Sequence, residues 1–298
     1  MNIYGDIVGI KKSVVALGFF DGVHIGHRKL IKKLVQYAKK NITYSVIITF
    51  KTAPAECFYQ NVKYLTTNEQ KENIISRLGV DYMFELDFNK ELMNMPHSDY
   101  LKNIIYKNFE PLGIITGFNH TFGKNGLGNS DYLRQNAKKY GYSYLEIPPV
   151  KISNETVSSS LIRKYLNEGN INQANMLLGA EFEISGTVIE GNKIGRKLGF
   201  PTANIAYPEK TVQIPYGVYS CRVIFQNNQY KGIMNYGIKP TLTQKTKKAE
   251  TEIHIMGFDE DLYGETIQVK IIEKIRDERK FNSLEELQAQ IKEDIKKC

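Results

Sequence analysis

Apolar residues fall into two textures along the chain, and the change comes near residue 180. Over the first 150 residues, short apolar runs alternate with longer stretches in which apolar positions recur every three or four residues. Residues 14–20 (VVALGFF) and 46–50 (VIITF) have the length and β-branched content of buried strands. Between them Leu30, Ile31, Leu34, Val35 and Ala38 form one stripe of a helix over 27–39. Thr67 and Gln70 have capping-box spacing, which predicts a helix running on to a stop at Gly79. Further strands are expected at 80–86, 113–117 and 142–147, with helices near 98–109 and over 131–140. This rhythm implies an α/β, doubly wound domain: a parallel sheet covered by helices on both faces, with ligands beyond the strands' carboxyl ends.

Pro148 and Pro149 close that pattern, and two short helices follow at 158–167 and 171–178, divided by Gly169. From Glu181 onward the texture is strand-like, at 182–189, 218–225, 251–256 and 266–275, with Gly and Pro between the runs. Helical periodicity returns only after Ser283, where Ser283 and Glu286 again have capping-box spacing. The second part is therefore expected to be an antiparallel β-barrel with a C-terminal helix. The expected domains are residues 1–180 and 181–298.

Composition narrows the class. A chain of 298 residues favours two domains. Its 42% hydrophobic and 24% charged content rules out disorder as the dominant state. No run approaches the roughly 18 apolar residues of a membrane span, and the N-terminus has no secretory h-region. Three scattered cysteines argue against a disulfide framework and suit a reducing cytoplasm. The net charge of +8 lies mostly in residues 1–180, which hold 22 Lys+Arg against 15 Asp+Glu. A basic surface of this kind serves nucleic acid, membranes or small anions such as ATP, or is a set of solvated lysines.

Three motifs could carry chemistry. The first, GFFDGVHIGH over 18–27, ends the first strand and opens the first helix. His24 and His27 lie on one helical turn, where free N–H groups and the helix dipole favour a phosphate, and Gly22 and Gly26 let a ligand approach the backbone. The alternatives are plain helix capping, or a metal pair for which no third ligand has a recognisable spacing. The second, SSSLIR over 158–163, presents hydroxyls, N–H groups and the Arg163 guanidinium on one turn; ordinary capping explains the hydroxyls equally well. The third spans 195–204 (GRKLGFPTAN): a glycine-rich basic loop including Gly195, Arg196 and Lys197, then Thr202 and Asn204 on one face of a strand, where both oxygens could meet a ligand or Mg²⁺. Glu252 and His254 share a face of a later strand; Glu252 there could be a general base or simply lie on an exposed face.

In this order and spacing the motifs resemble the bacterial bifunctional riboflavin kinase/FAD synthetase family over essentially the whole chain. GFFDGVHIGH and SSSLIR are similar to the signatures of its N-terminal, Rossmann-like FMN adenylyltransferase domain, of the nucleotidyltransferase superfamily. LGFPTAN, PYGVYS, GIMNYGIKPT, ETEIH, DLYG and IRDERKF are similar to those of its C-terminal riboflavin kinase domain. The resemblance implies two ATP-dependent steps. Riboflavin's ribityl hydroxyl attacks the γ-phosphate of ATP to give FMN; FMN's phosphate then attacks the α-phosphate of a second ATP to give FAD and pyrophosphate. It implies Glu252 as the kinase's base, with Thr202 and Asn204 holding Mg²⁺ and the nucleotide phosphates beside Gly195 and Arg196. It implies His24 and His27 as the catalytic histidines of adenylyl transfer. Gly18, Phe19, Asp21, Gly26, Ser159, Ser160 and Arg163 are implied at the ATP phosphates, and Asn119, Phe122, Arg276 and Phe281 at the flavin. The partners implied are riboflavin, FMN and ATP, with flavins as substrate and product and no nucleic acid or membrane.

The sequence departs from the family pattern mainly in the first domain. The segment from Phe50 to Pro54 reads FKTAP where the family shows Phe-x-Pro-His-Pro, so Ala53 stands in place of a histidine. Asn119 stands for Asp and His120 for an aromatic in GFNHTFG. In the second domain Gly257 stands where Asp is common. The first-domain departures raise the alternative of a riboflavin kinase with an impaired adenylyltransferase, and the positive charge of residues 1–180 raises that of a flavin- or RNA-binding regulator without turnover.

Overall fold

The computed structural model describes residues 1–191, 195, 198–238 and 249–298. Contacts divide the chain into two compact units, Met1–Ser159 and Ser160–Cys298. The division falls before the two short helices expected at the end of the first domain. Asn175, on the second of them, explains this: its amide donates to the Ile271 carbonyl at 2.9 Å and its oxygen accepts from the Phe182 N–H at 2.7 Å, both groups of the later β-structure.

The first unit holds a six-stranded sheet in which every pairing is parallel. Its strands are β1 (Asn2–Tyr4), β2 (Val14–Leu17), β3 (Ser45–Phe50), β4 (Tyr82–Leu86), β5 (Gly113–Gly117) and β6 (Ser143–Ile147), in the order β1-β4-β3-β2-β5-β6. Side chains alternate between the faces as strand geometry requires. Val14 and Ala16 pack with Ile47, Met83 and Ile115 under α1 (Ile25–Lys40) and α2 (Asn68–Arg77). Val15 and Leu17 pack with Val46, Phe84 and Ile114 on the other face, under Leu101, Ile105, Phe109 and Leu133. Leu133 belongs to α3 (Ser130–Tyr140); the other three lie in a helical run whose middle, Tyr100–Tyr106, is π-helical. Chain order reverses between β2 and β5, so the crevice at their carboxyl ends is the topological switch point where ligands bind in such sheets.

The capping box at Thr67 is present, with Gln70 N donating to Thr67 Oγ1 at 3.2 Å and Thr67 N to Gln70 Oε1 at 2.9 Å. The edge strand β1 is an addition to the sequence reading. Its three residues are exposed, and Tyr4 stacks on Tyr82 and Phe84.

In the second unit, α4 (Ser159–Asn167, its first residue the last of unit one) and α5 (Ile171–Leu178) precede a closed antiparallel barrel. Two strands forming a small hairpin, β7 (Lys151–Ile152) and β8 (Glu155–Thr156), come before α4 in the chain. The barrel strands are β9 (Phe182–Ile189), β10 (Thr202–Ile205), β11 (Gly217–Phe225), β12 (Asn228–Ile238), β13 (Ala249–Ile255) and β14 (Thr266–Asp277), in the order β10-β13-β12-β11-β14-β9. Tyr219, Met234 and Ile253 share a register row and are wholly buried inside it. The last helix, α6 (Leu284–Ile295), is capped by Ser283, whose Oγ accepts from Glu286 N at 3.2 Å.

Candidate active sites

At the carboxyl end of β2 the chain makes a strained turn. Phe20, Gly22 and Val23 all have left-handed backbone, with φ of 60°, 75° and 37°. Gly18 is required because a Cβ there would run into the Phe20 ring, which is folded back over it. Three bonds hold the turn: Thr49 Oγ1 donates to the Phe19 carbonyl at 3.0 Å, Leu65 N to Asp21 Oδ1 at 2.9 Å, and Gly22 N to Thr66 Oγ1 at 3.2 Å. Asp21 is thus buried and committed to the 64–66 segment; it shapes the turn.

His24 is the N-cap of α1, and its Nδ1 accepts from His27 N at 3.3 Å. The two imidazoles stack, 3.6 Å between centroids and 13° between planes, and Phe20 packs edge-on against His27. Burial lowers the His24 pKa to about 4, against the opposing effect of its backbone hydrogen bond. Burial first, then the charge of His24, lowers His27 well below the ordinary histidine value. Both rings are therefore neutral at pH 7. Among the described residues His27 Nδ1 is buried without a hydrogen-bond partner, and so is Arg28 Nε one residue on. A Cβ on Gly26 would press on the His24 ring. A helix N-terminus with two stacked imidazoles, one of them with a buried, unsatisfied ring nitrogen, is suited to gaining an anion.

Ser159 Oγ donates to the Asp21 carbonyl at 3.0 Å, so the structure brings the SSSLIR start to the GFFDG turn. Ser160 and Arg163 follow on the same helix. Asn119 is exposed on the segment that leaves β5, across the switch point. Phe122 is buried, packed with Tyr100, Tyr132 and His120, and its backbone pairs with Gly128. It anchors the segment that carries Asn119 and His120; His120 Nε2 is buried without a hydrogen-bond partner among the described residues.

In the second unit the register sets Asn204 of β10, Glu252 of β13 and Asn235 of β12 side by side on the barrel's outer face. Thr202 and His254 form the next outer row. Asn204 is 8% exposed and its Oδ1 is buried with no hydrogen-bond partner among the described residues. Gly191 and Gly195 come close to these side chains. A Cβ on Gly191 would collide with the Asn204 amide, and one on Gly195 would collide with the Phe200 carbonyl and press on Thr202. The Gly195 carbonyl accepts from Leu198 N at 3.1 Å and Phe200 N at 2.8 Å. Arg196 and Lys197 lie outside the described residues, as does the end of the GIMNYGIKPT motif. His254 braces the loop's exit: its Nδ1 lies 2.9 Å from the Pro201 carbonyl and its ring meets Phe200 edge-on.

Beside Thr202 opens a cavity of about 350 Å³, walled by Val188, Ala203, Ile253, Ile255 and the segment from Phe258 to Tyr263. Sequence reading noted DLYG only as a signature. It missed that Asp259, Glu260 and Asp261 border this cavity, because the fold, not the local sequence, brings them to β10. Arg276 is occupied elsewhere. Its Nε and Nη2 bond the buried Asp294 carboxylate at 2.9–3.1 Å and its Nη1 donates to the Asp277 carbonyl at 3.1 Å. It stands 5.6 Å from the Phe281 ring, which also receives Arg279 at 4.7 Å. Arg276 docks α6 on the barrel, and its guanidinium is not held toward an open cleft. Among the described residues no cluster of three metal-ligating His, Cys, Asp or Glu side chains occurs.

Residues 8–161 match the family model described as FAD synthetase, and residues 178–298 match that described as riboflavin kinase. The bifunctional riboflavin kinase/FMN adenylyltransferase of Buchnera aphidicola from Schizaphis graminum is 38% identical, covering 99% of this chain and 97% of that protein. The Bacillus subtilis protein of the same name is 33% identical over 95% of this chain and 90% of its own length. A crystal structure named as a macrolide-efflux protein from Streptococcus pneumoniae superposes with a TM-score of 0.88 at 31% identity, covering 98% of this chain and 95% of that one. Among the described residues no helix is long and apolar enough to cross a membrane.

Proposed function

The chain belongs to the bifunctional riboflavin kinase/FMN adenylyltransferase family, and from that premise we propose which of its residues perform the two reactions. It phosphorylates riboflavin to FMN with ATP and adenylylates FMN to FAD; both domains are present, which favours the two-step reading over a kinase alone. We assign adenylyl transfer to residues 1–180, so that the helix carrying Ser160 and Arg163 goes with the turn that Ser159 joins, and phosphorylation to residues 181–298.

The observation that carries the assignment is a separate site in each unit, each built around a buried polar atom with no hydrogen-bond partner among the described residues: His27 Nδ1 on a helix N-terminus in one, and Asn204 Oδ1, an acceptor suited to a cation, in the other. In the kinase, Asn204 and Thr202 supply oxygen donors of the type that Mg²⁺ takes, and the orphaned Asn204 oxygen supports their fit to it. Mg²⁺ held there neutralises charge on the nucleotide phosphates. Glu252, next to Asn204 in register, accepts the proton of the ribityl hydroxyl as it attacks the γ-phosphate. Gly191 and Gly195 let the loop backbone close on the phosphates. The cavity beside Thr202 has a size suited to the adenosine, with apolar walls for the base and carboxylates for the ribose hydroxyls.

In adenylyl transfer the attacking group is already an ionised phosphate, so no base is needed. The α1 N-terminus and the His24–His27 stack stabilise charge on the α-phosphate and on the departing pyrophosphate, with Ser160 and Arg163 on the leaving group. Neutral imidazoles offer N–H donors at once and can take up protons as negative charge arrives. Asn119 and Phe122, and Phe281 in the kinase, remain our choices for the flavin side; Arg276 acts there only through Phe281 and the helix it docks. The three free thiols support a reducing, cytoplasmic setting.

The experiment is product analysis of the purified chain with Mg²⁺ and ATP, supplied with riboflavin and, separately, with FMN. Riboflavin should yield FMN and FAD, and FMN should yield FAD. FMN as the sole product in both cases would remove the adenylyl-transfer assignment.

A further inference from the structure

A buried charged cluster lies against the phosphate-handling turn of the first domain, and neither reaction as described uses it. Lys71, on α2, is 2% exposed. Its Nζ lies 2.9 Å from Glu85 Oε1, donates to the Phe50 carbonyl at 3.1 Å and stands 5.3 Å from the centroid of the Phe19 ring. Glu85 is likewise buried, on β4 opposite Thr49 of β3. Glu72, the next residue on α2, hydrogen-bonds Glu85. Burial first, then that bond and the Glu85 charge, raise its pKa to about 7, with Lys71 opposing and Glu69 adding to the rise.

Burying an ion pair is a poor way to gain stability, because two apolar side chains of similar volume commonly serve as well or better. What Lys71 touches supplies another reason to keep it. Phe50 is the last residue of β3, and Phe19 lies two residues past the end of β2, both at the switch point. Thr49 holds the Phe19 carbonyl and Lys71 holds the Phe50 carbonyl while covering the Phe19 ring, so the two strand ends are tied together immediately before the left-handed residues Phe20, Gly22 and Val23. A turn in that conformation persists only when its surroundings over-determine it.

We propose that Lys71 is a positioning residue for adenylyl transfer. Its ammonium, neutralised by Glu85, pins Phe19 to the end of β3 and so keeps the following turn, with His24 and His27, aimed at the nucleotide phosphates. The proposal rests on the reading of this domain as the FMN adenylyltransferase. It makes no contact with substrate through Lys71 itself.

The test uses the full chain, with its own riboflavin kinase as internal control. Lys71→Met should lower kcat for FAD formation from FMN at least about tenfold, or about 1.4 kcal/mol, while FMN formation is unchanged. The single variant also leaves Glu85 buried without its cation, so the double variant Lys71→Met/Glu85→Met is the deciding one. It should recover the unfolding temperature but not the rate of FAD formation, because the tether to Phe19 and Phe50 stays cut. Recovery of the rate together with stability would make Lys71 a mere charge partner and overturn the proposal, as would a single variant of undiminished kcat. A wild-type chain that makes FMN but no FAD would overturn the reading of the domain, and the proposal with it; that outcome is separated from the others because it appears before any substitution.

Discussion

Replacing Asn204 by Leu should make the ligand-free protein more stable and the kinase inactive. Asn204 Oδ1 is buried in the wall of the barrel with no hydrogen-bond partner among the described residues, and leaving such an acceptor unsatisfied costs about 1–3 kcal/mol. Leucine has a similar branched shape, removes the orphaned oxygen and suits a strand no worse. The expected gain is about 1–2 kcal/mol, which for a domain of this size raises the unfolding temperature by roughly 3–6 °C. Function moves the other way. If that oxygen is left unsatisfied in order to meet Mg²⁺ carried with ATP, its loss should cost FMN formation at least about a hundredfold, near 2.7 kcal/mol. Mg²⁺-ATP at about a hundred times its Kd stabilises a folded protein by about 2.7 kcal/mol, and the variant should lose most of that shift in the kinase domain. Thermal unfolding with and without Mg²⁺-ATP, beside chromatographic assay of FMN, reads all three effects. A variant that unfolds at lower temperature and still forms FMN would show Asn204 to be an ordinary structural amide and remove the basis for the kinase site.

Two further outcomes follow from the buried charges. The depressed pKa values of His24 and His27 mean that the unfolded state binds protons near pH 6.5 that the folded state refuses, so these residues' contribution to stability is lost as pH falls from about 6.5 toward 4. Pyrophosphate should restore it by favouring the imidazolium forms; calorimetry in buffers of different ionisation enthalpy should show proton uptake on binding, and His27→Ala should reduce that uptake. In the second unit, Asp294→Ala leaves Arg276 facing a buried gap and should destabilise the domain by about 3 kcal/mol, whereas Arg276→Met/Asp294→Leu should recover most of it in denaturant unfolding.

The sequence made the fold legible where the determining physics is local. The stripe of Leu30, Ile31, Leu34, Val35 and Ala38 does pack on the sheet, and the capping box at Thr67 forms as its spacing requires; at Ser283 the serine caps the helix, while the Glu286 carboxylate takes the Asn282 N–H instead of the Ser283 N–H. Strand β1 escaped because three exposed residues carry no apolar alternation; only the neighbouring β4 makes them a strand. The GFFDG–HxGH turn was legible as a phosphate site, yet the individual use of Asp21 was not, since its partner Leu65 is 44 residues away. Lys71 reads as one more polar helix residue, and its burial follows from where α2 meets the ends of β3 and β4. Arg276 shows the same limit: a guanidinium in a signature looks free for a ligand until the fold supplies Asp294. Local sequence marks which segments carry chemistry; non-local pairing decides which atoms are left over to do it.

The division of labour between the two sites is tested most directly by crossing two variants. Glu252→Gln supplied with riboflavin should form no FMN, yet should convert added FMN to FAD; His27→Ala should accumulate FMN and stop there. Mixed in one tube with riboflavin, ATP and Mg²⁺, the two folded variants should together produce FAD, one supplying the phosphorylation and the other the adenylylation. A mixture that yields no FAD, from variants that each lose both reactions, would contradict the assignment of one reaction to each site.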